Sequence, residues 1–497
     1  MLNEMKKWMR IADKIPGWTA PALACLIVIF GMPQGYVGQE HDDAIYLLAS
    51  QSLAEGKYHA IYSPGSPRIT QTTPGFPALL TPIAALFPFH LLAFQLWCGI
   101  FLILTIWLYG WWLKTRCTPS TATGLVLAFS LSPLVIARGG VLMPEIPFLL
   151  LSLLLLMAWD RKVHPLWLGV LMAISYLVRP AALAVWVAVE LTFFLQKRWK
   201  AMGSSMVFPA LTLALWSLWC RGEGGVQEFT ELKTMFVINF DNILAIFGHN
   251  FLRLVTLWGE TTLPLKWASS VGAVGMGTAL WVGAGIGFAR SWRQKPIELW
   301  PIMLGTQIVM HLFWPWWYDR YFILLLPFLL VCLTQIFSSR SGVAFLIGIF
   351  VTILPFSQTW LFLTLGGKVT PPLTATYQWI QQKTPPETAF TSLFHARDLL
   401  YAKRVFFPPP SSLGLDGPLA RWNVRYVLWE ERADLGFSNP ENQASSWKNK
   451  NARQLKNPRL FAPVFWDPTG KAILYKRLGV EHSRATSPLP LEKPGNK

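Results

Sequence analysis

The chain has 497 residues, 53% hydrophobic and only 14% charged, with a mean hydropathy of +0.38. Soluble domains carry about 25% charged residues, so this composition excludes an ordinary soluble enzyme and points to a membrane-embedded chain. The formal net charge of +17 does not argue for a nucleic-acid partner, because the Lys and Arg fall in short clusters between apolar segments, the positive-inside pattern.

Residues 1 to 14 are basic and lead into an apolar stretch with no small-residue cleavage site before Gln39, which reads as a retained signal-anchor helix. Crossing a hydrocarbon core of about 30 Å takes roughly 20 residues at about 1.5 Å each. Spans are expected at 17 to 37, 91 to 113, 121 to 137, 146 to 159, 164 to 178, 180 to 196, 203 to 220, 268 to 289, 298 to 316, 321 to 337 and 342 to 363. The Pro-broken stretch from Phe76 to Pro88 is expected as an interfacial or re-entrant helix, which leaves about eleven crossings. Lys6, Lys7, Lys114, Arg116, Arg161, Lys162, Arg198, Arg290 and Arg340 then share one side, the cytoplasmic one. The opposite side receives residues 38 to 90, the turns at Arg138 to Glu145, Arg179 and Tyr318 to Tyr321, the loop 221 to 266, and the tail.

After Gly366 the composition turns mixed polar. Residues 377 to 383 look helical, 388 to 392 and 425 to 429 look like strands, and a closing hairpin is expected around Asp467 to Gly470. The expected organisation is a membrane domain over 1–365 with a first outer loop at 38–90, a small α/β outer domain over 366–483, and a disordered tail over 484–497. Five cysteines without a CxxC pair, and none after Cys332, predict neither a disulfide framework nor a cysteine metal site.

The segment with most chemistry follows the first span, where Glu40, His41, Asp42 and Asp43 crowd together at a membrane boundary. Adjacent acids there need a compensator: a divalent cation such as Mg or Mn, nearby Arg, or a raised carboxyl pKa. The plainer alternative is a solvated helix start, with acids near its positive end. Glu145 heads a later span on the same expected side, and Arg138, Arg179 and Arg320 sit at helix ends facing that side. Each Arg alone fits snorkelling to headgroups; together with the acids they form a phosphate-binding set.

The acidic pair after the first span, AlaSerGlnSerLeuAlaGluGlyLysTyr at 49–58, ThrThrProGlyPhePro at 72–77, Glu145 ahead of a span, ValArgProAla at 178–181 and AspArgTyrPheIleLeuLeuLeuPro at 319–327 follow one another in order. In that order they resemble the GT-C superfamily of membrane glycosyltransferases, in its bacterial branch of protein O-mannosyltransferases and aminoarabinose transferases. Asp43 departs from the pattern, since relatives more often carry Glu there. The resemblance implies an all-α polytopic membrane domain with a small C-terminal α/β extracytoplasmic domain. It also implies inverting transfer of a sugar from a polyprenyl-phosphate-linked donor to a lipid, glycan or protein acceptor at the outer face of a bacterial inner membrane. In that reading Asp42 is the general base, with Asp43 and Glu145 supporting its geometry or a metal. Arg179 and Arg320 hold the donor phosphate, with Arg138, His41 and Tyr321 nearby. The rival class is a polytopic transporter or lipid flippase. Transporters place ionisable groups near the bilayer midplane, often within inverted repeats, and no repeat is evident here.

Overall fold

The computed structural model describes residues 21–22, 25, 36–63, 65–221, 240–262, 270–293, 298–314, 319–336, 373–408, 418–430, 451, 454–467 and 472–478. Most of the expected span 17 to 37, all of 342 to 363, Pro468 to Gly470 of the expected turn, and the tail lie outside these residues. The chain divides into two compact units, Met1–Gly35 with Thr70–Val369, and Tyr36–Ile69 with Thr370–Lys497. The expected first outer loop is therefore divided, and its acid-bearing start belongs to the same unit as the C-terminal residues.

Helix α1 (Asp42–Ala54) belongs to the second unit. The first unit is helical: α2 (Gly75–Leu86), α3 (Leu91–Lys114), α4 (Pro119–Ser130), α5 (Pro133–Arg138), α6 (Glu145–Asp160), α7 (Pro165–Val178), α8 (Ala182–Leu195), α9 (Trp199–Ser205), α10 (Val207–Trp219), α11 (Phe240–Thr262), α12 (Ser270–Arg293), α13 (Leu299–Phe313), a 3-10 turn (Asp319–Tyr321) and α14 (Phe322–Thr334). Proline sets several starts, since its missing N–H costs nothing in the first turn: α4, α5 and α7 each carry it there. The same residue corrects one expectation, because the predicted span 121 to 137 is interrupted before Pro133 and becomes α4 and α5.

Helix α3 shows why this unit belongs in a bilayer. Phe94, Cys98, Leu102, Ile106, Tyr109 and Leu113 recur at helical spacing and are buried, yet the opposite face exposes Leu92, Leu96, Ile100, Leu104, Trp107 and Trp111. A helix apolar on both faces, with one facing outward, matches lipid rather than water. Among the described residues three helices are long and apolar enough to cross, Leu91–Lys114, Trp199–Trp219 and Val271–Arg293. The shorter apolar helices Gly75–Leu86, Pro165–Val178, Ala182–Leu195 and Leu299–Phe313 fall below that length. The protein is an integral membrane protein.

The expected outer loop 221 to 266 instead contains α11, 23 residues long. Its apolar side buries Leu254, Val255, Leu257 and Trp258, and it packs on α12 and α13. Backbones meet closely at two glycines: a Cβ on Gly259 would lie 1.8 Å from the Ala273 carbonyl oxygen, and one on Gly277 would lie 1.9 Å from that of Val255. Small residues let helices approach without a hydrophobic driving force between them.

The second unit adds α15 (Thr374–Lys383), β1 (Ala389–Ser392), α16 (His395–Ala402), β2 (Val405–Phe407), α17 (Pro418–Arg421), β3 (Val424–Glu430), β4 (Phe461–Asp467) and β5 (Ala472–Arg477) to α1. The sheet order is β2-β1-β3-β5-β4, with β1 parallel to both neighbours and β5 antiparallel to β3 and β4. The pairing of β4 with β5 supplies the two arms expected of the closing hairpin. Leu373, Tyr377, Ile380, Phe390, Phe406, Leu428 and Leu474 form the core between α15, α16 and the sheet. Thr376 Oγ1 donates to the buried Asp467 at 2.9 Å and ties α15 to β4.

Candidate functional site

The expected site residues form two groups, one in each unit. In the second unit, residues 36–41 lead into α1 through His41, whose φ of 64° is a left-handed conformation uncommon for a residue with a Cβ. Backbone strain of this kind persists only where the surroundings enforce it. Asp43 lies in the first turn of α1, 2% exposed. Its Oδ2 accepts the Gly38 N–H at 2.8 Å and its Oδ1 accepts the Ala44 N–H at 2.9 Å. Burial pushes its carboxyl up to about 7, with Glu40 and Asp42 adding to the rise and the two N–H bonds opposing it.

Asp42 is half-buried beside it. Its charge is felt by His41 and Tyr62: burial is the main reason the Tyr62 phenol is raised, and Asp42 adds to it. The His41 ring lies 5.7 Å from that of Phe394 and 5.2 Å from that of His395, and His395 lies 5.4 Å from Tyr62. Burial lowers both imidazoles, His395 to about 3. Both are therefore neutral at neutral pH, and act as dipoles rather than cations. The sequence reading did not single out His395 or Tyr62. No local signal marks them, because their partners lie far along the chain.

In the first unit Glu145 gathers two of the three expected arginines. It is the first residue of α6, where a carboxylate meets the positive end of the helix. Arg179 follows α7 in an extended conformation, φ −156°, because the next residue, Pro180, disfavours the helical region. Arg320 lies in the 3-10 turn before α14. Arg179 Nη1 pairs with Glu145 Oε1, and Arg320 Nε stands 3.1 Å from the same oxygen. Tyr321 completes the group: the Arg179 guanidinium lies 4.5 Å from its ring centre, that of Arg320 5.8 Å, and the His311 ring 5.4 Å. All five side chains are buried, so two guanidiniums share one carboxylate out of water.

The turn that carries Arg320 is fixed by α11. Arg253 holds Asp319 by both carboxylate oxygens, Nε to Oδ1 at 2.9 Å and Nη2 to Oδ2 at 2.6 Å, and its Nη1 also bonds Glu260. This bidentate fork adds direction as well as charge. Arg138 ends α5, half-buried. For a metal the fit is poor. No group of three or more His, Cys, Asp or Glu among the described residues could hold one. Glu145 is matched by arginines, and both Asp43 oxygens accept backbone N–H bonds.

Neither a protein-family model nor a curated protein matches this sequence. Among solved structures, the chain is similar to ArnT from Cupriavidus metallidurans bound to undecaprenyl phosphate, at 13% identity and a TM-score of 0.56, over 94% of this chain and 99% of that one. The apo state of the same ArnT matches at 12% identity and a TM-score of 0.47, over 95% and 98%. The arabinofuranosyltransferase AftD from Mycobacteria matches at 13% and 0.44, over 95% of this chain and 40% of that one. Identity this low speaks to fold, and the likeness to ArnT runs through both units. The chain is a membrane protein that shares the fold of that ArnT.

Proposed function

We propose that the protein is an inverting glycosyltransferase that moves a sugar from a polyprenyl-phosphate-linked donor to a hydroxyl acceptor at the outer face of the membrane. The observation that carries the reading is the buried Glu145, Arg179 and Arg320 cluster. Guanidinium forks match phosphate oxygens, and two of them converging on one buried carboxylate make a site for an anion. The structural likeness to an ArnT bound to undecaprenyl phosphate supports the choice of anion.

In this reaction the acceptor oxygen attacks the anomeric carbon from the side opposite the phosphate while Asp42 takes its proton. The bond from the anomeric carbon to the phosphate oxygen breaks, and the electron pair leaves with the polyprenyl phosphate. Arg179 and Arg320 stabilise the charge gained there, and inversion follows from the single displacement. Asp42 suits the base because it is half-buried, whereas Asp43 has both oxygens engaged by its own backbone. Asp43 and His41 then shape the start of α1. The sidedness of the Lys and Arg clusters supports about eleven crossings and a periplasmic site in a bacterial inner membrane.

Purified protein incubated with a polyprenyl-phosphate sugar labelled in the sugar tests this reading. Label should leave the carrier with wild-type protein and stay with Asp42→Asn. Label that crosses a bilayer still attached to its carrier marks a flippase instead.

A further inference from the structure

The start of α1 rests on a helix from the far end of the chain. Phe394, Arg397 and Tyr401 recur at three-to-four spacing and so share one face of α16 and its N-cap. That face meets residues 36–41. The Tyr401 ring lies 6.4 Å from Tyr36, and the Phe394 ring lies 5.7 Å from His41. Between them the stem of Arg397 lies on Gly38. A Cβ at Gly38 would stand 2.2 Å from Arg397 Cγ and 2.5 Å from its Cβ, and the φ of 100° there is one that glycine adopts readily.

Arg397 cannot easily move aside. It is 2% exposed, and its Nε and Nη2 donate to Asp398 Oδ1 at 2.9 and 2.7 Å. Nη2 also pairs with Glu430 on β3, while the Tyr377 hydroxyl donates to Asp398 Oδ1 at 2.7 Å. A planar fork held by two carboxylates is rigid. The contact it makes is passed on, because the Gly38 N–H is the one that holds Asp43 Oδ2.

We propose that Arg397 is a positioning residue for the general base: anchored by Asp398 and Glu430, it fixes the backbone at Gly38 and, through the hydrogen bond from Gly38 to Asp43, sets where Asp42 stands. The role of Asp42 rests on the function proposed above; the clamp on residues 36–41 does not. The small outer domain is then part of the catalytic apparatus, since its helix shapes the loop that carries the base.

The test uses the full chain in nanodiscs, with transfer kinetics from a labelled polyprenyl-phosphate sugar and hydrogen exchange read by mass spectrometry. A displacement of about 1 Å in a reacting group costs on the order of 10²-fold, so Arg397→Met should lower kcat by about 10- to 100-fold with donor KM nearly unchanged. Exchange should quicken in residues 36–48 and stay as in wild type at Val424 to Leu428 of β3. Arg397→Lys, which keeps the stem and a cation, should recover part of kcat, and Gly38→Ala should lose turnover with the anchoring network intact. Wild-type kcat in Arg397→Met overturns the proposal. So does loosening of β3 equal to that of residues 36–48 when Gly38→Ala turns over normally. Full turnover in Asp42→Asn overturns the base assignment alone, while unchanged exchange of residues 36–48 in Arg397→Met overturns the clamp alone.

Discussion

Glu145→Gln keeps the shape of a side chain 3% exposed while removing the carboxylate that two arginines share. Deleting one partner of a buried ion pair costs about 3–5 kcal/mol, because the other charge stays out of water unpaired. Here two guanidiniums are stranded at one oxygen, so the loss belongs at the upper end, about 5 kcal/mol, a large share of typical stabilities of about 5–15 kcal/mol. The shift per kcal/mol shrinks with chain length, to about 1–2 °C at this size, so Tm should fall by about 5–10 °C. The same charge balance predicts the ligand response. Undecaprenyl phosphate brings negative charge to the stranded guanidiniums, so it should raise the Tm of Glu145→Gln by more than it raises that of wild type. The assay is thermal unfolding in detergent, with and without undecaprenyl phosphate. Arg179→Met in the Glu145→Gln background removes one surplus charge and should recover part of the lost Tm. A Glu145→Gln protein that melts within about 2 °C of wild type would refute the shared-carboxylate reasoning. A large fall in Tm with no extra rise on adding undecaprenyl phosphate would refute the phosphate assignment.

Asp42→Asn should lower turnover by about 10²- to 10⁴-fold while donor binding is kept; a dead Asp43→Asn beside a near-normal Asp42→Asn would show that the base is Asp43. Arg320→Ala should raise donor KM as well as lower the rate, since a charge-assisted phosphate contact is lost, and an unchanged donor KM counts against that contact. Asp43 has a folded pKa of about 7 against an ordinary value of 3.8, so its protonated form is the one the fold favours. Its contribution to stability is fully present below about pH 4 and is lost as pH rises through about 7. Wild-type Tm should therefore fall from pH 5 to 8 relative to Asp43→Asn, and parallel curves would contradict the buried-carboxyl account. Cysteines introduced at Ser63 and Ser445 should react with impermeant reagent from the same side of the membrane; reaction from opposite sides would break the proposed topology.

Mean hydropathy finds a helix whose faces are both apolar, as in α3, where the exposed Trp107 and Trp111 read as strongly as the buried Phe94 and Leu102. It fails for α11. There Asn250, Arg253 and Glu260 interrupt the apolar run, and the buried side is marked only by the 3.6 period of Leu254, Val255 and Trp258. The missed helix mattered, because it supplies the Arg253 that holds Asp319 beside Arg320. Short patterns also reveal sidedness better than pairing. Glu145, Arg179 and Arg320 were expected on one face, yet nothing local says that one carboxylate serves both arginines. The division of the first loop was hidden for the same reason: Gly38 meets Arg397 only through the fold.

Two adjacent acids pose a choice that residue type cannot make. Successive positions on a helix point about 100° apart, so Asp42 and Asp43 cannot aim at one proton. Hydrogen bonds separate them. Asp43 turns inward, where its two oxygens accept the N–H groups of Gly38 and Ala44 and draw residues 38–44 into a closed turn. That arrangement uses the acceptor capacity a base needs, and burial raises the carboxyl in which it is invested. Asp42 is left on the adjoining side, half-buried, with its charge felt at His41 and Tyr62. Asp43 therefore shapes the turn that carries Asp42, and in the proposed reaction Asp42 alone takes the proton.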